Sequence, residues 1–114
     1  RYYGGGFLAA PESQLDDGVL DVMVVNEISL AKIAKVLPIY QAGKHFANGE
    51  IVPELENIVE YYPAKSVHIR PVDENQEVIV NVDGECGPDK ELSAEIVPLS
   101  ARLILPKKVY DKQM

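Results

Sequence analysis

Residues 15–25 read Leu15-Asp16-Asp17-Gly18-Val19-Leu20-Asp21-Val22-Met23-Val24-Val25, an acidic turn set directly before an extended apolar run. Two carboxylates followed by glycine favour a tight turn, because Asp side chains can bond their own backbone and Gly accepts a left-handed conformation. From Val19 to Val25 the residues alternate as a strand would. Leu20, Val22 and Val24 share one face, and Asp21, Met23 and Val25 share the other. Both faces are largely apolar, which predicts a strand covered on two sides.

The rest of the chain repeats this pattern. Ser66 to Arg70 alternates with Val67 and Ile69 inward, and Glu77 to Val82 does so with Val78, Val80 and Val82 as its apolar set. Two more strands are expected at Ala94 to Val97 and Ala101 to Leu105, joined across Pro98-Leu99-Ser100 as a terminal hairpin. One segment has a different period. Leu30, Ile33, Leu37 and Tyr40 recur at helical spacing, with Ser29 placed as an N-cap and Gly43 as a stop. Pro38 inside it should kink the helix or end its first part. Residues 43–63 are the least legible, and Glu54 to Tyr61 suits either a helix or a strand. The order is strand, helix, then mostly strand. It predicts an antiparallel β-sandwich with one helical insertion at about residues 29–42, in a single domain over 1–114.

Composition limits what such a domain can do. The chain has 114 residues, 46% hydrophobic and 25% charged, ordinary values for a globular protein. Area scaling puts a compact fold near roughly 6,000 Å² of surface against roughly 18,000 Å² unfolded, enough for a core without staples. Cys86 is the one cysteine, which excludes an internal disulfide and any multi-cysteine zinc site, and is compatible with a reducing cytosol. A net charge of -7 argues against broad phosphate-backbone binding, so no nucleic-acid partner is expected. No apolar run approaches the roughly 20 residues of a membrane helix. An opening of Arg1-Tyr2-Tyr3 rather than methionine reads as an excised piece.

Few residues can carry chemistry. Gly4-Gly5-Gly6 lacks both the Lys-Ser/Thr of a P-loop and the GxGxxG spacing of a dinucleotide site. Between Tyr2, Tyr3 and Phe7 it reads instead as a bulge or a close backbone approach. Asp16-Asp17-Gly18 is either a solvated turn or an oxygen-rich site for a hard cation. Asn81-Val82-Asp83-Gly84-Glu85 is the second acidic turn. In an extended chain Asp83 and Glu85 share a face, and two close carboxylates can split their pKa values and take acid or base roles. A hairpin turn with exposed acids is the plainer alternative. His45 and His68 are too far apart in sequence to suggest one site. His68 sits on a polar strand face. Cys86 has no flanking base, and Lys107-Lys108 is too short for a membrane address.

In order along nearly the whole chain, these segments resemble the C-terminal domain of the bacterial soluble diacylglycerol kinase-like lipid kinases, relatives of sphingosine kinases. The matching stretches are YYGGGFLAAPESQLDDGVLDVMVV, LAKIAKVLPIYQAGKH, NIVEYYPAKSVHI, NVDGE and EIVPLSARLILP. Cys86-Gly87-Pro88 after the DGE departs from the usual pattern without touching the acidic positions. The resemblance implies a two-domain enzyme that transfers the γ-phosphoryl group of ATP to the hydroxyl of diacylglycerol or a related lipid. ATP would be bound mainly by an N-terminal nucleotide-binding domain with a GGDG loop, which this chain lacks. It implies Glu85 as base with Asp83 in support, and a structural Mg²⁺ held by the Asp17 side chain and the carbonyls of Gln14 and Val19. It further implies a cytoplasmic enzyme that touches the membrane peripherally, with a homodimer left open. A β-sandwich that binds lipid or protein without catalysis is the alternative, and a sphingoid base or another lipid is an alternative substrate.

Overall fold

The computed structural model describes residues 1–102 together with Ile104, Pro106 and Lys107. Among these residues eight strands, one helix and a 3₁₀ turn follow in the order β1 (Leu20–Val25), α1 (Leu30–Gln41), β2 (Phe46–Ala47), β3 (Glu50–Ile51), the 3₁₀ turn Pro53–Leu55, β4 (Val59–Ala64), β5 (Ser66–Ile69), β6 (Val78–Val82), β7 (Glu85–Asp89) and β8 (Leu92–Glu95). The fold is mainly β, and every ladder is antiparallel, as the alternating segments predict.

β4 and β5 are one extended run interrupted only at Lys65. Its first half pairs with β1 in the register Leu20↔Ala64 to Val25↔Val59. Its second half pairs with β8, from Ser66↔Glu95 to Ile69↔Leu92, and the Ile96 amide extends that ladder to the Lys65 carbonyl at 2.9 Å. β6 and β7 continue the β5/β8 ribbon outward as the hairpin Val78↔Asp89 to Val82↔Glu85. Between the two ladders eight residues (70–77) on one arm face two (90–91) on the other. This mismatch extrudes residues 70–77 and shifts the register of the tip.

The expected terminal hairpin does not form among the described residues. The strand starting at Leu92 pairs with β5 instead, and Ala101 and Arg102 are not in a strand. Leu103 and Leu105, the end of that expected strand, lie outside the described residues. Ile69, read as inward, is 44% exposed and Val82 of the apolar set is 58% exposed, because among the described residues no second layer covers the outer end of the ribbon.

α1 runs through Pro38 to Gln41 rather than ending there. The Ser29 hydroxyl accepts from the Lys32 amide at 3.4 Å at its start. At its end the Lys44 amide donates to the Ile39 carbonyl and the Gly43 amide to the Tyr40 carbonyl. Gly43 sits at φ 72, so these bonds close a Schellman motif around a left-handed glycine.

The core lies where the sequence is hardest to read. Phe46, Leu55 and Val59 are the buried apolar side chains, and His45 is fully buried beside them. Tyr61 meets Phe46 edge-on, with ring centroids 4.7 Å apart. Asn48-Gly49 forms a two-residue turn between β2 and β3, with φ 56 and 82. The Glu12 carboxylate takes both turn amides at 2.8 Å and so ties the N-terminal segment to this hairpin. The accessible surface of 9259 Å² exceeds the roughly 6,000 Å² of a compact chain of this mass. Two-stranded ribbons without a facing layer account for the excess.

Two substitutions test this packing. A methyl group on Gly43 would lie 2.5 Å from Leu8 Cδ2, and a left-handed backbone disfavours any side chain. Gly43→Ala should cost roughly 2–4 kcal/mol, read from urea unfolding, as the sum of backbone strain and overpacking. A loss below about 0.5 kcal/mol, the range of neutral surface changes, would overturn the contact. Tyr61 donates to Asp21 Oδ1 at 2.7 Å. That bond first, then burial and the charges of Asp21, Asp17 and Glu12, push its phenol up from 10.0 to about 12. The unfolded chain gives up this proton first, so the stabilisation is complete below about pH 10 and fades as the pH rises towards 12. Tyr61→Phe should therefore lower the urea midpoint at pH 8 and make its decline above pH 10 shallower. Parallel declines in the two proteins would show that this phenol carries no such linkage.

Candidate functional site

The two acidic turns lie at opposite ends of one ribbon. Gly18 packs beside Pro98, where an added Cβ would be 3.6 Å from the proline ring. Leu20 stands opposite Ala64. The Asp16-Asp17-Gly18 turn therefore sits at the base of the β5/β8 ribbon, next to the Lys65 break. Asp83-Gly84 is the loop at its tip. No hydrogen bond or ion pair joins the two turns among the described residues.

At the base, Gly18 takes φ 71, and Asp17 Oδ1 accepts from the Val19 amide at 3.0 Å. This Asx turn fixes the carboxylate relative to the following backbone. Gln14 and Asp17 are exposed and Val19 is half-buried. Among the described residues no backbone hydrogen bond takes the carbonyls of Gln14 or Val19. These are oxygen donors, the type a hard cation such as Mg²⁺ takes rather than zinc, but among the described residues no group of three or more His, Cys, Asp and Glu side chains stands together as a metal site. The negative charges of Asp17, Asp21 and Glu12 all reach the Tyr61 phenol. Among the described residues, none of these three carboxylates is in an ion pair.

At the tip, Asp83 (φ 51) and Gly84 (φ 90) are both left-handed, the signature of a type I′ hairpin turn. Asn81 Oδ1 accepts from the Gly84 amide at 3.0 Å and locks the loop. Glu85 opens β7 opposite Val82. Asp83 is a turn residue and Glu85 the first residue of β7, so the two are not successive positions of one extended strand. The bend itself forms, and both side chains are exposed. Neither carboxylate has a hydrogen-bond or ion-pair partner among the described residues.

The other candidates behave differently from their sequence readings. Gly4-Gly5-Gly6 is a turn under the single bridge Tyr3↔Phe7, and a Cβ on any of the three would meet nothing within 4 Å. It is not a close approach. His68 is exposed but paired, with Nε2 2.8 Å from Glu91 Oε2. Cys86 is an exposed free thiol. Lys108 lies outside the described residues.

His45 is the residue that sequence reasoning missed. Its Nε2 donates to the Ala9 carbonyl at 3.0 Å, a carbonyl that can only accept. Its ring stacks on Tyr40 at 4.3 Å. Burial pushes its pKa down, opposed by the Ala9 bond, and its Nδ1 is buried without a partner. The only local signal was its place two residues after the helix-stopping glycine.

Between α1 and the end of β1 lies an open cleft of about 520 Å³, lined by Val25, Ile28, Ile33, Val36, Leu37 and Tyr40, with Val59 beneath and Asn26 and Glu27 at its lip. Its walls are almost wholly apolar.

Comparison with known proteins places these features in a family. The family model described as "YegS C-terminal NAD kinase beta sandwich-like domain" matches residues 1–105. A protein named diacylglycerol kinase from Staphylococcus haemolyticus is 27% identical over 106 residues, covering 91% of this chain and 28% of that protein. One of the same name from Mycobacterium tuberculosis is 31% identical over 109 residues, covering 94% and 31%. A probable lipid kinase YegS-like from Shewanella frigidimarina is 28% identical over 103 residues, covering 90% and 29%. The chain thus spans less than a third of the length of the curated relatives it matches. No solved structure matches it. Since the family match runs over residues 1–105, from the glycine turn past the last strand, the chain belongs to the YegS C-terminal NAD kinase beta sandwich-like family.

Proposed function

We propose that this chain is the lipid-side, base-carrying part of an ATP-dependent kinase that phosphorylates the hydroxyl of diacylglycerol or a related lipid. The observation that carries the reading is the unpaired Glu85 carboxylate, held beside a locked type I′ turn in a chain whose relatives are named diacylglycerol and lipid kinases. A general base must be accessible and oriented, and it cannot be spent on a salt bridge. Glu85 meets these conditions.

In the proposed reaction Glu85 accepts the proton of the lipid hydroxyl as its oxygen bonds to the γ-phosphorus. The bond to the bridging oxygen breaks, and ADP leaves. The chain has no phosphate loop, so the nucleotide is assigned to an N-terminal domain of the same protein. Asp83, two residues before Glu85 in the adjoining turn, supports the base through hydrogen bonding or the metal network. The cleft beside α1 offers an apolar bed for the substrate's hydrocarbon part. Asp17, Gln14 and Val19 would hold Mg²⁺ at the ribbon base, and the ion would supply structural cross-linking there rather than chemistry at Glu85. A cytoplasmic, peripherally membrane-bound enzyme accords with this reading.

Four variants of the full-length protein test it. Glu85→Gln preserves shape and removes the proton acceptor, so turnover of diacylglycerol should fall roughly 10²–10⁴-fold with nucleotide binding intact. Asp83→Asn should also slow turnover, and the double variant should cost less than the product of the two. Retention of more than about half the rate in Glu85→Gln rules out the base role. Asp17→Asn should lower the melting temperature in Mg²⁺ and flatten its dependence on Mg²⁺ concentration, since an ion bound only to the folded state stabilises it by mass action. Identical melting of wild type and variant, with and without Mg²⁺, would remove the metal assignment.

A further inference from the structure

We propose that His45 is an acid-sensitive latch: as the neutral imidazole it holds residues 8–13 against α1 and the β2–β3 hairpin, and its protonation expels the ring and frees that segment. This goes beyond the lipid-kinase reading and stands without it.

Residues 8–13 are tied to the body by three sets of hydrogen bonds. The Leu8 amide donates to the Gln41 carbonyl at 3.0 Å, at the end of α1. The Ala9 carbonyl accepts from His45 Nε2 at 3.0 Å. The Glu12 carboxylate takes the amides of Asn48 and Gly49 at 2.8 Å. Glu12 is exposed, whereas His45 is 0% exposed, so the histidine bond is the one made in the interior. Arg1 holds the segment to itself, since its carbonyl accepts from the Ala10 amide and its Nε donates to the Ser13 carbonyl. The segment therefore docks or leaves as a unit, and the buried ring is what it closes over.

The chemistry of the ring makes this closure conditional on its protonation state. Nε2 uses its hydrogen on Ala9, so Nδ1 carries the lone pair, and among the described residues Nδ1 has no hydrogen-bond partner. A second proton would have to go to Nδ1. It would create a buried N–H without an acceptor and a charge without a counter-ion, both costly in an apolar interior. The surroundings offer no compensation. The other buried side chains, Phe46, Leu55 and Val59, are apolar. Tyr40 of α1 stacks on the ring at 4.3 Å, and burial pushes its phenol up, so it brings no charge at neutral or acid pH. Glu12, on the segment itself, is committed to the hairpin amides, and Lys44, the preceding residue, has the same sign as an imidazolium. Among the described residues no carboxylate stands within ion-pair reach of the ring. The docked ring thus resists the proton, in line with the downward push that burial gives its pKa. A freed ring takes the proton near pH 6.5, as histidine in water does. Docking is therefore complete above about pH 6.5 and weakens as the pH falls below it. Tyr40 also lines the cleft beside α1, so expulsion of His45 removes the ring that backs one wall of that cleft.

The test is hydrogen exchange of the full-length protein, read at the Leu8 amide, with the histidine ring nitrogens followed by NMR in parallel. After correction for the intrinsic pH dependence of exchange, Leu8 protection should fall by up to about 10-fold from about pH 7.5 to about pH 5.5. That is the limit for a ring that titrates near 6.5 when free and stays neutral when docked. His45→Gln keeps an amide donor for Ala9 and cannot take the proton, so its Leu8 protection should be level across the range. His68→Gln, at the exposed pair with Glu91, should leave the wild-type pH dependence unchanged. The His45 resonances of the wild type should show hydrogen on Nε2 and a bare Nδ1 at the upper pH, with protonation appearing only together with loss of Leu8 protection. Leu8 protection in the wild type that does not change with pH overturns the proposal. An equal fall in His45→Gln also overturns it and assigns the effect to another group such as Glu12. A His45 ring that protonates while Leu8 stays protected overturns it as well. If His45→Gln fails to fold, the resonances and Leu8 protection of the wild type decide alone.

Discussion

The extended run from Val59 to Ile69 has two different partners along its length, and nearly every placement in the molecule follows from that division. Its first half is committed to β1 and its second half to β8, with Lys65 at the crossover. A slip of one residue in either ladder would turn every side chain of that half to the other face. The β1 pairing brings the Asp17 turn to the Ala64 end of the run, and the β8 pairing returns Pro98 to the same place. The Asp83-Gly84 loop is thereby carried to the far end. The two acidic turns are separated by the ladder itself.

Local chemistry made the turns and the helix legible. Asp-Gly at 83–84 specifies a two-residue hairpin, Ser29 and Gly43 bracket α1, and the alternation in residues 20–25 marks β1. Reading failed where structure depends on partners distant in sequence. Residues 43–63 hold the core, yet their pieces are too short to show a period: β2 and β3 have two residues each. The Asn48-Gly49 turn was a readable hairpin signal, but nothing local announced that Glu12 would hold its amides from 36 residues away. His45 shows the same limit, since its environment consists of Ala9 and Tyr40. The expected terminal hairpin failed for a related reason. The strand at Leu92 pairs instead with β5, a partner distant in sequence. For the candidate residues, the sequence offers the carboxylates but not their separation, which the ladder determines.

The electrostatics of the chain are lopsided in a way that bears on the site. Among the described residues the ion pairs, His68 with Glu91 and Lys90 with Glu77, both lie on the β5–β8 side and are exposed. Such surface pairs contribute little to stability. The carboxylates at both turns remain open. Unpaired acids on one rigid turn repel each other and any anion brought near them.

Pro63 stands within β4 and Pro88 within β7, each at a paired position in a ladder with only one neighbour. Proline is tolerated in a strand where its missing N–H would face away from the partner, so each removes a donor from the outer side of its ribbon. Open strand edges are templates for adding further chains, and a ribbon with half-covered apolar faces is especially prone to this. The two prolines interrupt that template at β4 and β7. They act as a guard against fibrous association along ribbons that, among the described residues, have no facing layer.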